Sequence, residues 1–161
     1  MIRDRTWLRY TTSALALFAA VAVTATAAGQ PAGEVVIPAD KIEWKPGPPV
    51  LYGVQVAVLY GNPTKEGPFI MRLKFPAGFD YQPHTHPGTE GHLTVISGAF
   101  GIGFGDKFDR SKAPLLPVGS YFIMPDRPHF AWTDRESVLQ VHGNGPWRVQ
   151  FIKQDGKATA K

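Results

Sequence analysis

The 161-residue chain contains no cysteine. Disulfides, thiolate chemistry and cysteine-ligated zinc are therefore excluded; stability has to come from packing, and any metal has to be held by histidines and carboxylates. Charge is sparse too, at 19% of residues against 43% hydrophobic, the composition of a chain that buries a core rather than of a disordered one. Long uninterrupted windows are scarce, because 17 Gly and 15 Pro punctuate the sequence and leave little room for regular helices. At this length one compact domain is expected.

Arg3, Arg5 and Arg9 precede a charge-free run rich in Ala, Leu and Val at residues 11–28, and Ala25, Thr26 and Ala27 offer small residues near its end. This is the three-part layout of a secretory signal peptide, so residues 1–27 are expected to be removed and the protein exported to the bacterial periplasm or the medium. The alternative is a retained anchor, since about 20 apolar residues can span a bilayer; the small-residue end favours cleavage, with no stable membrane insertion afterwards. Removal takes three Arg and one Asp from 17 basic and 13 acidic residues, leaving 14 against 12 and a net charge of +2. With no basic cluster remaining, the sequence gives no footprint for nucleic acid.

Residues 28–33 read as a flexible leader, residues 34–153 as the domain, and residues 154–161, which contain no large apolar group, as a disordered tail. Within the domain, short β-rich runs alternate with Gly/Pro turns at roughly ten-residue spacing, the pattern of an all-β sandwich or barrel. The runs are 34–37, 41–44, 55–60, 69–75, 92–96, 100–104, 120–124, 130–133, 138–142 and 148–152. Strict alternation is clearest at Phe69, Met71, Leu73 and Phe75, which gives one strand face wholly to large apolar groups.

All five histidines lie between positions 84 and 142, three of them in the stretch His84-Thr85-His86-Pro87-Gly88-Thr89-Glu90-Gly91-His92. In extended chain, residues i and i+2 share a face, so His84 and His86 can present two imidazoles to one point. A lone His-x-His is weak evidence for metal. The flanks add to it: Gly78 lies six residues before His84, Glu90 four after His86, Gly98 closes the next run, and Gly119 and Pro125 lead into His129.

This arrangement resembles the two motifs of the cupin superfamily, G-x5-H-x-H-x3 or 4-E-x6-G and G-x5-P-x-G-x2-H-x3-N. The resemblance implies a double-stranded β-helix, the jelly-roll cupin barrel. It also implies one divalent transition metal (Fe, Mn, Ni, Cu or Zn) held by His84, His86, Glu90 and His129, with coordination positions left for water, substrate or dioxygen. Two departures fall on the ligands. Seven residues separate Glu90 from Gly98 where the motif has six, so counting back from Gly98 reaches Gly91. Glu90 is expected as the ligand with a β-bulge at Gly91 absorbing the extra residue, and His92 is the alternative ligand if the bulge swings it inward. The second motif is one residue short and lacks its Gly, and Thr133 replaces its Asn.

Gln140 and His142 share one face of their run, which leaves Gln140 as a candidate pocket residue and His142 as a candidate general acid or base. Tyr81 is a second candidate proton donor, while Trp132 and Trp147 are most simply core residues. The functional expectation is an exported metal cupin, an oxidoreductase of dioxygenase type acting on a small metal-chelating substrate. Its rivals are a non-catalytic metal- or ligand-binding sensor with a closed coordination sphere and a redox-neutral isomerase or lyase on the same site. The resemblance also allows a homodimer through strand edges.

Overall fold

The computed structural model describes residues 33–153; the expected signal segment, most of the leader and the tail lie outside the described residues. Among the described residues eleven strands form: β1 Lys45–Pro46, β2 Gln55–Tyr60, β3 Gly67–Phe75, β4 Asp80–Thr85, β5 Gly91–Ser97, β6 Ala99–Phe104, β7 Leu115–Pro117, β8 Tyr121–Met124, β9 His129–Trp132, β10 Ser137–Gly145 and β11 Gln150–Phe151. They make two antiparallel sheets, one in the order β1-β2-β3-β10-β5-β8 and the other β11-β4-β9-β6-β7. The all-β jelly-roll expectation is met. Among the described residues, no helix is long and apolar enough to cross a membrane.

The alternation of β3 sets the larger sheet. Phe69, Met71, Leu73 and Phe75 are all buried, and β10 pairs with β3 along its whole length, from Ser137 opposite Phe75 to Gly145 opposite Gly67. Leu139 and Val141 therefore enter the same layer as Leu73 and Met71, both at 0% exposure. On the next strand Leu93 and Val95 continue it. The facing sheet supplies Tyr81, Phe100, Ile102 and Ala131, with Phe75 against Phe100 at 5.2 Å between ring centroids.

Several expectations are corrected. Residues 34–37 form no strand and pair with no strand among the described residues, and Val35 and Val36 are exposed; a β-prone run forms no strand without a neighbouring edge, and a 3-10 turn follows Pro38 at Ala39–Lys41. Residues 42–44 remain outside the strands as well. Conversely, β4 and β7 carry no apolar alternation and each contains a proline, yet they pair. Pro83 fits because the β4–β9 register shifts between Tyr81 and His84, where a missing ladder N–H costs little.

The predicted bulge exists, but elsewhere. From Gly91 to Thr94 the pairing of β5 with β8 is regular, and with β10 it is regular from Gly91 to Val95. The shift comes between Leu139–Val95 and Val138–Ser97, so Ile96 is the extra residue before Gly98. Residues 91, 93 and 95 thus face inward and 90 and 92 outward.

Candidate metal centre

His84, within β4, lies directly opposite His129 at the start of β9, and His86 follows on the same face just past the strand end. All three are buried, at 1%, 0% and 2% exposure for His84, His129 and His86. One ligand atom from each lies within 4.8 Å of the others, and among the described residues this is the group of three so arranged. Ring centroids are 4.2 Å apart for His84 and His129, and 5.1 Å from each of these to His86.

Each imidazole is pinned by the main chain. Nδ1 of His84 meets the carbonyl of Gln82 at 2.7 Å, that of His129 the carbonyl of Arg127 at 2.8 Å, and that of His86 the carbonyl of Arg148 at 2.7 Å. A carbonyl only accepts, so Nδ1 carries the proton and donates, and the lone pair is left on Nε2. Nε2 of both His86 and His129 is buried without a hydrogen-bond partner. Unpartnered buried acceptors are costly and rare, and converging imidazole lone pairs are what a divalent metal takes up. The three residues fit such a metal, and imidazole ligation alone does not select among Fe, Mn, Ni, Cu and Zn.

Burial also keeps the imidazoles neutral. Desolvation, with the neighbouring His129 and His86 adding to it, pushes His84 down to about 3. Desolvation, then His129, lowers His86 to about 4, against the opposing bond to Arg148. His129 is lowered by desolvation and by Arg127. A metal competes with little bound proton here at neutral pH.

The imidazoles face a cavity of about 30 Å³, walled by Leu73, Leu93, Leu139, Met124 and Trp147 among others. That is space for an ion with one or two water-sized ligands. Tyr81 stands on its wall, its ring 4.0 Å from that of His84, and its buried hydroxyl has no partner. Desolvation raises its pKa, so the hydroxyl stays protonated.

The remaining expected site residues stand elsewhere. Glu90 and His92 face outward on β5 and its approach, with His92 Nε2 3.1 Å from Glu90 Oε1 and His92 Nδ1 2.5 Å from the Tyr121 hydroxyl. Neither reaches the cavity: with the extra residue at Ile96, the inward position is Gly91. Replacing Glu90 or His92 by Ala is therefore expected to leave metal content per chain unchanged, as measured by plasma mass spectrometry. Gln140 and His142 are also outside, hydrogen-bonded to each other at 2.9 Å with Arg72 on Gln140 at 3.0 Å. Their polar face is solvent-directed because Leu139 and Val141 take the inward positions of β10. Thr133 is structural: its buried hydroxyl donates to the Pro76 carbonyl at 2.7 Å.

One residue of the site was read only as core. The Trp147 indole stacks on His86 at 4.0 Å and 30°, and meets Phe69 edge-on at 5.7 Å. Nothing in the local sequence signals this, since Trp147 reaches the site from the segment between β10 and β11.

Solved structures with the same architecture include KdgF from Halomonas sp., 20% identical over 72% of this chain and 96% of that one, TM-score 0.55. The polyketide cyclase RemF from Streptomyces resistomycificus is 15% identical over 75% and 87%, TM-score 0.58. A protein proposed to be an acetylacetone dioxygenase, from Methylibium petroleiphilum PM1, is 21% identical over 80% and 87%, TM-score 0.57. At these identities the likeness is one of fold. No curated protein matches the chain in sequence. The model of the ChrR cupin-like domain matches residues 32–147, well over half of the sequence, and the chain belongs to that cupin family.

Proposed function

We propose that the protein is a metal-dependent cupin enzyme, an oxidoreductase acting on a small chelating organic molecule, exported by means of residues 1–27. The observation that carries this reading is the convergence of three neutral imidazoles on a small buried cavity with, among the described residues, no fourth ligand group beside them. A bound divalent metal would supply Lewis acidity and, for a redox-active ion, access to dioxygen chemistry. A sensor with a shell closed by His92 is disfavoured, because His92 is tied to Glu90 and Tyr121 on the outer face.

The chain's own contribution is positioning and exclusion of water. Backbone carbonyls fix the three rings, apolar walls keep bulk water out, and Tyr81, on the cavity wall, keeps its buried hydroxyl proton. The test is metal content of the purified protein together with oxygen uptake on small carboxylates, hydroxy acids and β-diketones. About one transition metal per chain and uptake with a member of the panel would support the reading; a metal-free protein would overturn it. With a substrate found, Tyr81→Phe is expected to keep the metal and lower turnover by roughly 100-fold, the usual scale of general-acid loss. Unchanged turnover would remove Tyr81 from the chemistry.

A further inference from the structure

At the inward position of β5, where the family motif counted back from Gly98 has its Glu, this chain has Gly91. The space such a side chain needs is already filled: a Cβ on Gly91 would lie 2.5 Å from Cη2 of Trp147 and 3.0 Å from its Cζ3. The indole is held there by its stack on His86, its edge contact with Phe69 and the bond from its backbone N–H to the Pro63 carbonyl at 2.6 Å. Glycine and tryptophan thus act as a matched pair, one giving up a side chain and the other occupying its volume.

The exchange changes charge as well as shape. Three neutral imidazoles offset none of the charge of a divalent cation, and the walls around them are apolar. The residues that line the cavity include no carboxylate, and the Asp126 side chain is engaged with the Gly88 amide at 2.9 Å. Placing an uncompensated double charge in such surroundings is strongly unfavourable.

We infer that Trp147, seated against Gly91, takes the place of a fourth protein ligand, so that a small anion from solution completes the coordination and compensates the charge of a metal held by His84, His86 and His129. The ligand class is a compact monoanion, a carboxylate or enolate, because the cavity beside the imidazoles is small, about 30 Å³, and its lining residues offer no Lys or Arg to a dianion. This rests on the metal reading and deepens it by naming the class of molecule that binds.

The test uses Co(II) and azide as probes. Co(II) is titrated calorimetrically into the metal-free full chain at pH 7.5 in a non-coordinating buffer, with and without azide, and the visible spectrum is followed. Azide is expected to tighten Co(II) binding by about tenfold or more, within the usual range of coupling between sites, and to alter the visible bands. In the double variant Gly91→Glu/Trp147→Gly a carboxylate replaces the indole; Co(II) should bind more tightly without azide, and the azide effect should vanish. Co(II) binding to the wild type that ignores azide would overturn the inference and leave the metal reading standing, whereas no Co(II) binding under either condition would overturn both. Should the double variant fail to fold, the wild-type comparison alone decides.

Discussion

Metal-free protein is expected to lose roughly 5 kcal/mol of stability between pH 6.5 and 4.5. The ordinary value of a histidine is 6.5, and His84 and His86 are held at about 3 and about 4 in the folded chain. Below pH 6.5 the unfolded chain binds a proton at each site that the folded chain refuses, so stability falls as pH falls and levels off only below the folded values. Each such histidine contributes up to about 1.4 kcal/mol per pH unit. Over two units His84 and His86 together amount to roughly 5 kcal/mol, with His129 acting in the same direction, against a total of about 5–15 kcal/mol for a typical domain. The check is the urea midpoint of the metal-free protein from pH 7.5 to 4.5. A midpoint that stays flat over this range would show that the rings are solvated rather than buried. A saturating divalent metal at pH 7.5 should raise the midpoint, because it binds only the folded chain.

Replacing any one of His84, His86 or His129 by Ala is expected to abolish stoichiometric metal binding. Losing a partner that merely orients a ligand costs about 10- to 100-fold in affinity, and here a direct ligand is removed from a group of three whose cavity is lined, among the described residues, by no carboxylate. The effect should be equal in kind for the three residues and absent for His92 and His142, which differ from them in facing solvent. Dialysis against metal followed by plasma mass spectrometry separates these cases. Retention of a full equivalent in His129→Ala would mean that His84 and His86 recruit a ligand from somewhere other than the strand opposite.

The histidines and the large sheet were readable because both depend on local periodicity: Phe69 to Phe75 alternate, and His84 and His86 are two apart. The outward placement of Glu90 was not readable because it depends on the position of a bulge, and so on how β5 meets β10, some 45 residues later. The seven-residue interval to Gly98 pointed to Gly91 as well as to Glu90, and the pairing of Val138 with Ser97 locates the extra residue at Ile96. The same limit explains His142. A polar pair on one face reads alike whether it lines a cavity or meets solvent, until the burial of Leu139 and Val141 is known. Strand β4 escaped periodicity altogether, since its pairing is imposed by β9 across a proline.

The three carbonyl anchors bear on how this site tolerates mutational drift. Residues 82, 127 and 148 orient the imidazoles through main-chain oxygen, which every amino acid carries, so substitutions at those positions leave the tautomers intact. A site steadied by side-chain carboxylates can be lost through any one of its supports; here only three codons, those for the histidines themselves, are indispensable to the ligand set. Sequences descended from this one can diverge widely around the centre while keeping it, and likeness at Gln82, Arg127 or Arg148 would carry no information about whether the metal is retained.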